Sequence, residues 1–208
     1  MHRNCIFFFA IFLSFGCKIK KHDVNNEMPK TVFIKEDNAY LMRIDNKIIE
    51  INSFLENKNG YNKDFAFLLD MKISSGKNRF FVVNLKNGKI INRGLVAHGY
   101  GSNILISDSL QFSNVPNSMA TSLGKYRIGK SYYGKFGKSY KLYGLDKTNS
   151  NAYARNIVLH GYKYVPELEV KGTICNSKGC PMVSYGFFKE IDGLIEQSKS
   201  NILLYVYY

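Results

Sequence analysis

The sequence has no tryptophan and only four cysteines, at positions 5, 17, 175 and 180. Four cysteines in 208 residues, two of them near the start, do not form a dense disulfide framework. There is no internal repeat. There is no arginine-rich run and no basic helix with a phosphate-reading pattern, so a nucleic-acid partner is not expected. Acidic residues are scarce. Lys plus Arg number 29 against 16 Asp plus Glu, a difference of 29 − 16 = 13 and a formal net charge of +13. A basic surface attracts polyanions, whether anionic lipid or a carboxylate-bearing polymer. The lysines are scattered, however, and a composition rich in Lys, Asn and Ile is basic without selecting a partner. The abundant apolar and aromatic residues are those of a globular domain.

No apolar run is long enough for a permanent membrane span, but residues 1–17, MHRNCIFFFAIFLSFGC, have the form of an export signal. His2 and Arg3 give a short basic start. Ile6 to Phe15 form an apolar core of signal-peptide length, broken by Ser14. Gly16-Cys17 then reads as a lipobox, with Cys17 the lipidated residue and new N-terminus. An ordinary secretory signal cleaved nearby is the alternative. Either reading exports the protein, and the first makes it a membrane-anchored lipoprotein facing the periplasm or cell envelope. Residues 18–38 are polar and aperiodic and read as a tether. A diacyl anchor on Cys17 would hold stably, because two chains bind where one holds marginally.

Residues 39–208 read as one domain. Leu41, Ile44, Ile48, Ile51 and Leu55 recur at spacings of three and four, which predicts a helix over 40–55, ended by Asn59-Gly60. FAFLLDM (65–71) and RFFVVNL (79–85) predict buried strands. Asn87-Gly88 predicts a hairpin returning as KIINRGLVAH (89–98), followed by a flexible turn at Gly99–Gly101. Residues 102–125 are rich in Ser, Asn, Gly and Pro and read as loops lining a cleft. Further short strands are expected over 125–128, 134–143, 157–160 and 202–207, with a second helix over 185–199. The fold class is mainly β with flanking α-helices.

The chemistry lies in NIVLHGYKYVPELEVKGTICNSKGCPMVS (156–184). A strand delivers His160, followed by Gly161, and twenty residues later comes Ser177-Lys178-Gly179-Cys180-Pro181. A thiol needs a base or a positive neighbour to become a nucleophile at neutral pH, and an imidazole on an adjacent strand supplies one. Gly179 permits a tight turn that can aim the amides of Gly179 and Cys180 at an oxyanion. The imidazole also needs a partner on its other nitrogen, for which a backbone carbonyl suffices.

This His-Gly, spacer, Ser-x-Gly-Cys pattern resembles the catalytic motif of the L,D-transpeptidases of YkuD type, and within them the branch of murein L,D-transpeptidase catalytic domains. The resemblance covers most of residues 64–207. Its blocks are RFFVVNL (79–85), VAHGYGS (96–102), FSNVPNS (112–118), TSLGKYRIG (121–129), YYGKFGKSYKLYGLD (132–146), NAYARNIVLHGYKYV (151–165) and SKGCPMVS (177–184). Asn176 stands where the branch often has a basic residue. Lys178 and Pro181 replace the more general motif's His and polar residue. The resemblance implies a YkuD-like β-sandwich or barrel. It also implies a peptidoglycan L,D-transpeptidase that works without metal or organic cofactor on stem peptides. Cys180 is then the nucleophile and His160 the base, with Gly179 and Ser177 forming the oxyanion turn. The thioester passes to an acceptor amine. Passage to water would make an L,D-carboxypeptidase. Loss of reactivity would leave a non-catalytic wall-binding lipoprotein. Such an enzyme is expected to resist most penicillins and respond to carbapenems.

Around this pair His98, which falls in a matched block, Gly161, Ser118 and Arg155 are candidate substrate-binding residues; Ser118, like Ser122 and Asn114, either binds a stem carboxylate or serves a turn. His98 either lines the cleft or hydrogen-bonds a loop, and Arg155 either meets a substrate carboxylate or forms a surface ion pair. Tyr132, Tyr133 and Tyr162 either cover the site or pack. A zinc site drawn from His98, His160, Cys175 and Cys180 is the rival chemistry, although the cysteine spacing is not the common tight pair. Cys175 reads as a spectator thiol or a redox partner of Cys180.

Overall fold

The computed structural model describes residues 33–208 apart from Ile106, and side chains from Ala39 onward apart from those of Ile106 and Asp108. The expected signal peptide, the lipidated Cys17 and the tether as far as residue 32 lie outside the described residues. The remaining six residues of the expected tether are helical, because α1 runs Phe33–Leu55. Among the described residues no helix is long and apolar enough to cross a membrane.

The strands are β1 (Phe65–Asp70), β2 (Phe80–Asn84), β3 (Ile90–Gly94), β4 (Asn103–Ile104), β5 (Ser107–Leu110), β6 (Gly124–Gly134), β7 (Gly137–Gly144), β8 (Val158–Gly161), β9 (Met182–Val183) and β10 (Leu203–Tyr207). A second helix, α2, spans Tyr185–Gln197. Eight strands form one sheet in the order β3-β2-β1-β10-β6-β7-β8-β9, and β4 and β5 form a small ribbon. The β1–β10 and β8–β9 pairs are parallel and the others in the large sheet antiparallel.

The sheet's two edges meet. Beyond β3 the chain runs on to β9, where the Ala97 amide donates to Met182 O at 2.8 Å. One step further, Ser177 N donates to His98 O (2.8 Å) and Tyr100 N to Ser177 O (2.7 Å). The sheet therefore curls towards a barrel, and this pairing covers edges that would otherwise be open.

Both faces of the central strands are buried, which is why they read as continuous apolar runs rather than alternating ones. Phe67, Leu69, Phe80, Val82, Leu204 and Val206 face one core, into which α2 inserts Phe187, Phe188 and Ile191. The intervening Ala66, Leu68, Phe81, Val83 and Leu203 face a second core, covered by Ile44, Ile48, Ile51 and Leu55 of α1. The helix stripe differs from the expected one at its start. Leu41 is exposed, and Tyr40 instead stacks on Phe81 with centroids 5.7 Å apart. Arg43 Nε closes this end on the buried Asp70 carboxylate at 2.8 Å. A third small cluster, Leu95, Ala97, Val165, Ile174 and Met182, lies under the 162–176 loop, with Cys175 and Cys180 packed against it.

The hairpin after β2 forms as expected. Asn84 Oδ1 accepts the Lys86 and Asn87 amides, and Gly88 takes a positive φ of 71°. Gly99–Gly101 is not the expected flexible turn. A Cβ on Gly99 would sit 2.2 Å from Met119 O, and one on Gly101 would sit 1.9 Å from Ser118 O. These glycines permit close backbone packing.

Candidate active site

His160 is a residue of β8, and its position pairs with Met182 of β9. Cys180 lies two residues before Met182, so the parallel pairing carries the thiol-bearing turn to the strand beside the imidazole. Twenty residues of intervening chain are needed because parallel neighbours cannot be joined by a tight turn.

The imidazole is fully buried. Its Nδ1 is 2.9 Å from Gly161 O, and a carbonyl can only accept, so Nδ1 carries the proton. Nε2 is then the basic lone pair, and it is buried without a hydrogen-bond partner among the described residues. The orienting group that the sequence left unnamed is therefore the carbonyl of the next residue. Phe136, from the turn between β6 and β7, stacks on the imidazole with centroids 4.3 Å apart. Tyr162 meets Phe136 edge-on at 6.4 Å. Burial pushes the His160 pKa below its ordinary value, and the Gly161 carbonyl offsets this only in part.

Cys180 is half-buried. Its thiol lies 3.8 Å from Asn156 O and is not hydrogen-bonded to His160. Burial also pushes this thiol up, against the opposing pull of the Val158 backbone and the positive charges of Arg155 and Lys141. At neutral pH the pair is thus a neutral thiol and a neutral imidazole. Lys141 reaches the same residue as the thiol, donating from Nζ to Asn156 Oδ1 at 2.8 Å. Asn156 itself has a φ of 56°. Lys141, Asn156 and Phe136 gave no sequence signal as site residues, because they come from separate strands and turns.

The turn before Cys180 is held by Ser177, whose Oγ accepts the Gly179 amide at 3.0 Å. This corrects one expectation. The Gly179 N–H is committed inside the turn, whereas the Cys180 N–H has no hydrogen bond among the described residues and is the amide that can meet an oxyanion. Gly179 has a φ of 110°, and a Cβ there would approach Ala120 O to 2.9 Å, so the position requires glycine.

The guanidinium of Arg155 is part-buried and bonded to a neighbouring loop. Nη1 donates to Ser113 O (2.8 Å) and Ser122 Oγ (3.1 Å), and Nη2 to Ser118 Oγ (3.2 Å) and Ala120 O (2.6 Å). Arg155 and Ser118 together pin the 113–122 loop behind the turn. Gly161, beyond its carbonyl, makes room for its neighbours, since a Cβ there would lie 2.6 Å from the Tyr185 ring. It lines a pocket of about 380 Å³ beneath Phe136, with Lys135, Lys138, Tyr162 and Lys163. His98 is buried and contacts Arg79 Nη2 and Asn103 Oδ1. Among the described residues no three His, Cys, Asp or Glu side chains cluster as metal ligands. Cys175 and Cys180 are both free thiols, Cys175 bonding to Tyr164 O.

A model of the L,D-transpeptidase catalytic domain family matches residues 36–207. No curated protein matches the chain. Among solved structures, an L,D-transpeptidase of Xylanimonas cellulosilytica (residues 123–326) is 12% identical with a TM-score of 0.38, over 70% of this chain and 61% of that one. The helical cell shape determining protein Pgp2 of Campylobacter jejuni (K307A mutant) is 11% identical with a TM-score of 0.44, over 74% and 52%. Bd1075 of Bdellovibrio bacteriovorus is 15% identical with a TM-score of 0.42, over 69% and 48%. The matched part of this chain thus spans about half to three-fifths of the length of those solved chains. With the family model covering residues 36–207 of 208, the chain belongs to the L,D-transpeptidase catalytic domain family.

Proposed function

We propose that this protein is a cysteine-dependent peptidoglycan L,D-transpeptidase, with Cys180 as nucleophile and His160 as general base. One observation carries the reading: a buried imidazole whose Nδ1 is fixed by Gly161 O and whose Nε2 is left without a partner, one strand from the thiol-bearing turn. A buried nitrogen without a partner costs stability, and a core histidine would be expected to satisfy it.

The reaction begins with rotation of the Cys180 side chain away from Asn156 O. Nε2 takes the thiol proton as sulfur attacks the carbonyl of the L-centre of the donor stem's diamino acid. Because both groups are neutral, proton transfer accompanies attack. The Cys180 amide meets the oxyanion. The C–N bond to D-alanine breaks, its nitrogen taking the proton from Nε2, and a thioester remains. An acceptor amine then attacks the thioester, giving its proton to His160, and the departing sulfur recovers that proton. Water in place of the amine gives L,D-carboxypeptidase activity, and the two share the first half-reaction. Export through residues 1–17, with a lipid anchor at Cys17, belongs to the same proposal and would put the domain where its polymer is.

Intact mass measurement after incubation with a carbapenem tests the reading. The expected result is one drug adduct, lost in Cys180→Ala and kept in Cys175→Ala. Disaccharide-tetrapeptide then separates cross-linked dimer from tripeptide. No adduct with both thiols titratable would overturn the catalytic reading and favour a wall-binding scaffold.

A further inference from the structure

A second cavity, of about 590 Å³, shares no lining residue with the pocket beneath Phe136. Arg79, His98, Asn103 and Asn176 all line it. Its charged side chains among the described lining residues are Arg79 and Lys72, and no carboxylate side chain is among them.

Arg79 is 1% exposed, and its hydrogen bonds go to neutral acceptors: Val96 O from Nε (2.9 Å) and Nη2 (2.8 Å), Ile73 O from Nη1 (3.1 Å) and His98 Nδ1 from Nη2 (2.8 Å). Asp70, the carboxylate whose field reaches it, is bonded to Arg43 and to the Lys72 amide. A buried cation with no directly bonded anion is costly.

This cation sets the direction of every bond that follows. A guanidinium cannot accept, so His98 Nδ1 is the acceptor and Nε2 bears the hydrogen. Nε2–H then donates to Asn103 Oδ1 at 2.7 Å. Asn103 Nδ2 donates in turn to Asn176 Oδ1 at 3.1 Å. The relay ends on Asn176 Nδ2, whose neighbour at 3.2 Å is His98 Nε2, another donor. The single Nε2–H is already spent on Asn103 Oδ1, so the hydrogens of Asn176 Nδ2 are the ones left without an acceptor among the described residues, at the end of a chain polarised by a buried positive charge. An anionic oxygen placed there accepts from Asn176 Nδ2.

We propose that this cavity is a carboxylate subsite, which binds a free carboxylate of the stem peptide whose carbonyl reacts at Cys180. The proposal rests on the peptidoglycan reading for its occupant and on the relay for its chemistry. Asn176 stands four residues before Cys180, a span of at most about 14 Å in extended chain. A stem peptide carries carboxylates within that reach of its scissile carbonyl, on the residue before the diamino acid and on the side chain of a dicarboxylic diamino acid.

The test uses the full chain carrying Cys180→Ala, which binds without turnover. Calorimetry compares a tetrapeptide stem bearing free carboxylates with the same peptide amidated at those positions. The free acid is expected to bind about tenfold tighter or better, the ratio that one charge-assisted hydrogen bond supplies. Adding Asn176→Asp, which sets a negative charge at the end of the relay, is expected to erase that preference while the circular dichroism spectrum is kept. Nitrogen NMR of His98 is expected to shift with the free acid and not with the amide. Equal binding of both peptides, or a preference untouched by Asn176→Asp, overturns the subsite. So does failure of either peptide to bind, whereas the activated thiol is judged separately by carbapenem acylation of Cys180.

Discussion

The ring of Phe136 lies almost parallel to the imidazole of His160, with planes 16° apart and centroids 4.3 Å apart, and it is itself 40% exposed. It shields the histidine from water while costing the core little. Phe136→Ala is therefore expected to raise the His160 pKa towards its ordinary value near 6.5 and to slow acylation several-fold. The lost ring contact is worth about 1 kcal/mol of stability. NMR titration of His160 decides it, and an unmoved titration would refute the shielding role.

The pH profile of acylation follows from the two opposed shifts. The His160 pKa lies below 6.5, so the acid limb is expected there, where the base becomes protonated. The Cys180 thiol lies above 9, so no second inflection is expected between these limits. A preformed thiolate–imidazolium pair would behave otherwise, and rapid alkylation of Cys180 by iodoacetamide at pH 6 would contradict the neutral pair.

Lys141 is tied to Asn156, whose carbonyl holds the thiol, and its charge favours the thiolate. Lys141→Ala is expected to move the Cys180 titration further up and to lower the acylation rate about tenfold, with partial recovery in Lys141→Arg. Alkylation rate against pH gives the titration directly. An unchanged thiol titration would show that the lysine only packs.

Arg155 clamps the 113–122 loop through four hydrogen bonds. Arg155→Ala is expected to cost about 2–3 kcal/mol, since the loop carbonyls lose a charged donor. Arg155→Lys should recover little of it, because one ammonium cannot replace the fork. Chemical denaturation measures both, and limited proteolysis at the loop should track the loss.

Stability should also depend on pH through His98 and His160. Both folded pKa values lie below the unfolded value near 6.5, so the unfolded chain binds more protons in acid. The associated stability is fully present above pH 6.5 and is lost as pH falls from there through the folded values. Melting temperatures from pH 8 to pH 5 should decline accordingly, with a shallower decline in His98→Gln.

Much of the fold was legible from periodicity. The stripe Ile44, Ile48, Ile51 and Leu55 and the runs at 65–70 and 80–84 recur because burial on one helix face, or on both faces of a strand, dictates residue type locally. The hairpin at Asn87-Gly88 was legible for the same reason, since a positive φ is a local demand. β9 was not legible. Two residues, Met182 and Val183, carry no pattern, and they form a strand only because β8 and the segment after β3 lie on either side.

The sequence by itself determined the chemistry-bearing motif and its family, since His-Gly and Ser-x-Gly-Cys with matched blocks are a linear record. It also determined the need for glycine at 179. What only the tertiary structure decided is which groups those residues meet. The sheet's curl brings His98 and Ser177 together, carries Phe136 onto His160 and draws Arg155 inward to a loop more than thirty residues away. Such contacts depend on long-range closure of the chain, and hydrogen-bond partners chosen by closure leave no periodic or compositional trace in the residues that make them.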